Sequence, residues 1–257
     1  MYSILRSQIE LKSSGNVKKL FFILLLQLPL SLVSGQDEIC NIIVDQRSLF
    51  EAPLTCQPYK MNGTIGSQLF MDGSFRGIII LYSEDTVRNK SIAYNEYEDE
   101  LIWSISGNNS MIKVDKEQVA EFIFLDTSEC KNIAFRHLHG TTTGNRQIDL
   151  FAQKLLDDTV SLYVTHLKQI VGKDEHEVGG FVTYMDKIEP KPKLYYLGFP
   201  GNYFLSINKP RIRALYNTLP DKKAEIRALL IKHHETVRNE RDLIRVIKLL
   251  NENKIIK

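Results

Sequence analysis

Gly77-Ile-Ile-Ile-Leu-Tyr82, Ser91-Ile-Ala-Tyr94, Glu100-Leu-Ile-Trp-Ser-Ile105, Ser110-Met-Ile-Lys-Val114, Glu121-Phe-Ile-Phe-Leu125 and Asn132-Ile-Ala-Phe135 follow one another between Ser74 and Leu138. Each is a short run of β-branched and aromatic residues, and turn formers such as Gly107-Asn108-Asn109 stand between them. Turns about every ten residues are the spacing of an antiparallel meander or sandwich. This stretch makes the chain β-rich at its centre.

Upstream, residues 37–70 show no strong period, with turn signals at Asn62-Gly63 and Gly66. Downstream, Gly140-Thr-Thr-Thr-Gly144 reads as a flexible loop. Ile148, Phe151, Leu155 and Leu156 fall at helical spacing and predict a helix over Ile148–Leu156. Strand character returns at Val160–Val164, Gly180–Tyr184 and Leu194–Leu197, interrupted by the polar stretch Lys173–Glu177 and by Pro190 and Pro192. The period then changes for good. Pro220-Asp221 opens a helix with Ile226, Leu229, Leu230 and His233 on one face, and Asn239 caps a second with Leu243, Ile244, Ile247 and Leu250 inward. A shorter helix is expected near Arg211–Tyr216. The fold class that follows is α+β: an antiparallel β-rich body over 36–208, either a sandwich or a partly open barrel, with a C-terminal helical hairpin over 209–257.

The first 35 residues belong to neither part. Lys18-Lys19 precede the apolar run Leu20–Val33, and the small residues Ser34-Gly35 follow it. That order is a cleavable signal peptide, and the run is shorter than the ~20 residues that span a bilayer. The expected location is therefore exported, periplasmic or extracellular. Outer-membrane association is compatible with it, and no stable span is left after cleavage. The whole chain of 257 residues has formal charge +2. Without residues 1–35 the balance is 29 basic against 30 acidic, so no nucleic-acid argument survives. Within the mature chain the charge is uneven: +7 from Lys209 onward and −8 over 36–208. Either the basic helices dock on the acidic body, or their solvated faces are simply Lys/Arg-rich. Cys40, Cys56 and Cys130 all lie in the exported part, and Cys40 with Cys56 is the sensible pair, both flanking one short loop. Closing that loop would contribute ~3 kcal/mol.

Candidate chemistry is sparse. Glu96, Glu98, Asp99 and Glu100 form an acidic cluster beside Tyr94, Tyr97 and Trp103. Paired carboxylates among aromatics are the raw material of a glycosidase, and also of any exposed hairpin. The three aromatics are candidates for a glycan platform, although Trp103 also suits a core. His137 and His139 share one face of a strand, and Asp174-Glu-His176-Glu177 groups metal-type ligands on a stretch better read as a hairpin loop. His233-His234 end a basic helix, where histidines favour the local dipole. No nucleophile elbow, phosphate loop, dinucleotide fingerprint or His-Glu-x-x-His occurs, so no cofactor is implied. Sequons at Asn62, Asn89 and Asn108 matter only in a eukaryotic secretory pathway.

Several of these features together resemble a group of uncharacterised exported proteins of the Bacteroidetes. The resemblance rests on Asp72-Gly-Ser-Phe-Arg-Gly-Ile78, on Tyr94-Asn-Glu-Tyr-Glu-Asp-Glu100, on Val160–Val164 and on the closing Leu249-Leu250-Asn251. It departs from that pattern at Lys173–Gly180 and Cys56–Gly66. It implies location and organisation, and brings no catalytic residue or ligand. The first expectation is a non-enzymatic envelope module that binds a protein or glycan. A hydrolase of envelope polysaccharide or peptide using Glu96–Glu100 or the histidines is the second, and a protein tethered by an uncleaved apolar segment the third.

Overall fold

The β-branched and aromatic runs of the central stretch form strands, some burying alternate residues, as at Gly77, Ile79 and Leu81, and others consecutive ones, as at Leu101, Ile102 and Trp103. A computed structural model of the chain describes residues 54–105, 110–125, 132–142, 145–178 and 181–257, with backbone alone at 176–178 and 181. The expected signal peptide, Cys40, Cys130, the turn at Gly107–Asn109 and the side chain of His176 lie outside the described residues.

The first seven strands are β1 (Cys56–Tyr59), β2 (Thr64–Ile65), β3 (Phe75–Leu81), β4 (Thr86–Asn95), β5 (Glu100–Ile105), β6 (Ser110–Val114) and β7 (Val119–Phe124). They continue as β8 (Ile133–Thr142), β9 (Arg146–Leu156), β10 (Ser161–Val164), β11 (Lys168–Val178), β12 (Phe181–Pro190), β13 (Tyr195–Phe199) and β14 (Tyr203–Ile207). In the main sheet the order is β1-β6-β5-β4-β3-β7-β8-β14-β13-β10-β9, and β8 also pairs with β9. Strands β8, β9, β10, β13 and β14 therefore form a closed five-stranded barrel. Five strands laid down alternately bring the first and last together in the same direction. Accordingly β14 meets β8 in parallel, Tyr203 opposite Thr141, while the other barrel pairs are antiparallel.

The β3–β7 sheet is curled. Val114 reaches Val119 through a 3-10 turn at Lys116–Gln118, rising about 2 Å per residue there. A flat sheet would set β6 and β7 about 19 Å apart across four strand spacings. Its concave side holds Ile79, Ile92, Tyr94, Leu101, Trp103, Val114, Phe122, Phe135 and Phe151. Phe122 stacks on Phe135 at 5.0 Å and meets Phe151 edge-on at 5.1 Å.

Residues Ile148–Leu156 are strand β9, not a helix. The cause is burial on both faces. Ile148 and Ala152 pack with Leu138, Tyr163 and Phe204, while Phe151 on the opposite face enters the aromatic cluster. Apolar residues from two faces of one strand then imitate helical spacing. Gly140–Thr142, expected in a loop, belong to β8, where Thr141 donates its N–H to the Asn202 carbonyl at 3.1 Å. Lys173–Glu177 is likewise strand, paired with β12 from Lys173↔Asp186 to Glu177↔Val182. This hairpin is solvated at both of its faces, with Val182 and Tyr184 exposed, so no apolar alternation marked it.

The helices are α1 (Ile212–Thr218), α2 (Lys223–His233) and α3 (Glu240–Glu252). Asn239 caps α3 by accepting the Asp242 N–H at 3.0 Å, and α2 ends with His234 in the left-handed region. Ile226, Leu229, Leu230, Leu243, Val246, Ile247 and Leu250 pack on Val160, Leu162, Val164, Tyr195, Leu197 and Ile207 of the barrel. His233, expected on the inner face of α2, is exposed. Among the described residues no helix is long and apolar enough to cross a membrane.

Candidate functional site

The acidic turn between β4 and β5 is a piece of construction. Buried Asn95 accepts the N–H groups of Tyr97 and Glu98 through Oδ1 and donates through Nδ2 to Tyr59 and Gln68. Asp99, at φ 59°, accepts from the Tyr94 hydroxyl at 2.7 Å, from the Phe151 N–H at 3.1 Å and from Lys116 at 2.5 Å. Buried Glu96 is held by Lys168 at 2.6 Å, and burial keeps its carboxyl above the ordinary range despite that cation. Glu98 accepts from the Tyr59 hydroxyl, and Glu100 pairs with Lys113 at 2.8 Å. Burial and the Glu98 carboxylate push the Tyr59 phenol up to about 12. The four acids thus serve different partners, and Glu100 lines a cavity.

The aromatic platform does not form. Tyr94 is 1% exposed and Trp103 7%, both inside the aromatic core, while Tyr97 alone of the three is exposed. Lys90 lies over the Trp103 ring at 4.8 Å.

The two histidines of β8 are brought together with a residue that the sequence reading missed. His139 stands opposite Asp149 of β9, and His137 lies two residues along. His137 Nε2 is 2.5 Å from Asp149 Oδ1 and its Nδ1 is 3.2 Å from the Tyr82 hydroxyl. His139 Nδ1 is 3.8 Å from the same Asp149 oxygen. Burial alone would raise the Asp149 carboxyl, but the hydrogen bond with His137 and the charge of Lys116 bring it below the usual range. These three side chains could hold a metal, their ligand atoms lying within 4.8 Å of one another. His176 is elsewhere, on β11 opposite Thr183. Asp149 is legible once Arg146–Leu156 is taken as a strand paired with β8, since that register sets it across from His139. A helix over Ile148–Leu156 hides that pairing.

Beside Asp149 opens a cavity of 420 Å³ lined by Glu100, Lys113, Asp115, Lys116 and Glu117, and by Cys56 with its neighbours in β1. Glu100 Oε2 is buried there without a hydrogen-bond partner. Cys56 itself is disulfide-bonded, and its partner, one of Cys40 and Cys130, lies outside the described residues.

Charge is not what joins the helices to the body. The two share an apolar core, and among the described residues their one ion pair is Lys193–Glu240, in which the helix supplies the acid. Tyr195 also donates to Glu240 at 3.0 Å. The cations of the helices are left facing solvent: Lys223 and Arg227 on α2, and Arg241, Arg245 and Lys248 along one face of α3. Arg245 is engaged by Asp242 and Glu235. No family model, no curated protein and no solved structure matches this chain.

Proposed function

We propose that this chain is an exported, non-enzymatic module of the cell envelope whose solvent-facing C-terminal helices bind an acidic polysaccharide. The observation that carries the reading is the cation-bearing face of α2 and α3, whose charge is not consumed in docking on the acidic body. Point cations spread over two helices, rather than gathered round a pocket, suit a flexible polymer that repeats its anionic groups. The disulfide at Cys56 supports an oxidising compartment. A glycosidase of the two-carboxylate kind would need a carboxyl of raised pKa in its cleft. Glu96, held above its ordinary range, does not line the cavity, and Asp149, which does, is held below it.

Retention on immobilised polygalacturonate, measured against rising salt with neutral dextran as control, tests this. Arg227→Glu/Arg241→Glu/Lys248→Glu should weaken retention by about tenfold or more while leaving the melting temperature within a few degrees. Equal retention of variant and parent would remove the reading.

A further inference from the structure

We propose that His137, His139 and Asp149 form a binding site for a divalent 3d metal ion, with zinc as the representative. This goes beyond the polysaccharide reading and stands on the β8–β9 hairpin rather than on the helices.

The pairing of β8 with β9 makes the site. Cross-strand register sets Asp149 opposite His139, and the period of two puts His137 on the same face. His137 is fixed. Its side chain is 2% exposed, with the Phe151 ring centred 5.2 Å away and Tyr82 bonded to Nδ1. The other two ligands are free to adjust, His139 at 69% and Asp149 at 59% exposure. Tetrahedral zinc, with bonds of about 2.0–2.1 Å, wants ligand atoms about 3.4 Å apart. The cluster already lies within 4.8 Å; His139 has to close in and Asp149 has to move back from His137, and both are the exposed members of the set.

The approach of His137 Nε2 to Asp149 Oδ1 is bridged by a hydrogen or by a cation. In the metal-free chain it is the Nε2 proton, and Nδ1 then accepts from the Tyr82 hydroxyl. On binding, the metal takes that place and the ring hydrogen moves to Nδ1, which donates to the Tyr82 oxygen. The Tyr82 hydroxyl hydrogen turns to the His137 carbonyl, 3.5 Å away. No net proton is lost at His137, and a hydrogen-bonded second nitrogen is the usual way a metal-binding imidazole is oriented. Lys116 is the nearby cation, donating to the Asp149 carbonyl at 3.2 Å. It is also paired with Asp99 at 2.5 Å. Two imidazoles and one carboxylate select zinc, cobalt, nickel or copper over calcium and magnesium, which take oxygen.

The test is titration of the tag-free chain with Co2+, read by its visible d–d bands, and with Zn2+ by calorimetry. One equivalent of Co2+ should give bands that Zn2+ displaces and Ca2+ does not. His139→Ala and Asp149→Asn, both at exposed positions, should each weaken binding by at least about tenfold without changing the metal-free melting temperature. His233→Ala/His234→Ala should bind like the parent. Absence of bands, unchanged affinity in both rim variants, or loss confined to the His233/His234 variant would each overturn the site.

Discussion

His166 donates from Nε2 to Gln153 at 2.7 Å and packs edge-on against Phe70, with Glu96, Lys168, Lys193 and Glu240 around it. Burial, with the charge of Lys193, pushes its imidazole down to about 4. The folded chain therefore holds fewer protons here than the unfolded chain between pH 6.5 and 4. The stability this group contributes is complete above pH 6.5 and falls as the pH drops to 4, by roughly 3 kcal/mol. Glu96 acts in the opposite sense, its carboxyl being held above the ordinary range. The reading to take is thus a difference: urea midpoints of the parent and of His166→Gln should converge as the pH falls from 7 to 4. Parallel curves would mean that His166 charges freely in the folded state. Asn251 is the second residue whose job its neighbours define. Its amide donates to the Val160 carbonyl at 2.9 Å and accepts the Val160 N–H at 3.0 Å, completing the ladder of β10 from a helix. Asn251→Ala leaves both backbone groups buried and unpaired, and chemical denaturation should show a loss of about 2 kcal/mol. Leu249-Leu250-Asn251 is visible in the sequence as a motif. Its task is not, because the groups that it satisfies lie 91 residues away.

At the scale of elements, Gly140 decides whether the barrel closes. A Cβ there would stand 2.1 Å from the Asn202 carbonyl oxygen, at the point where β14 joins β8. Gly140→Ala should therefore cost about 1–3 kcal/mol, seen as a lower melting temperature. Gly172→Ala in β11, where a Cβ meets nothing within 4 Å, should leave it unchanged. Runs of β-branched and aromatic residues between turn formers made β3 to β7 legible, and α2 and α3 show their stripes and the Asn239 cap. β9 and β11 were not legible: β9 is apolar on both faces at helix-like spacing and imitates a helix, and β11 is polar on both and imitates a loop. The candidate site inherited the first of these errors. His137 and His139 were legible as a pair, whereas Asp149 needed the strand that the period concealed. The Tyr94–Glu100 motif was visible in full, and its hydrogen bonds make it a turn.

Across the whole molecule, an acidic β body and a basic helical cap are joined by apolar packing, so their charges remain available to partners instead of to each other. The architecture was legible as α+β with terminal helices, but the closure of the barrel was not. It depends on a parallel pair between β8 and β14, which no local pattern announces. The Val160–Asn251 contact adds a constraint in time. The residue before β10 acquires its partners only from α3, so a chain that emerges N-terminus first cannot satisfy Val160 until Asn251 has been made. Contacts of such long sequence separation slow folding and prolong the exposure of unpaired strands. Until β13 and β14 are made, the open edges of β10 and β8 are the segments for a holdase to shield.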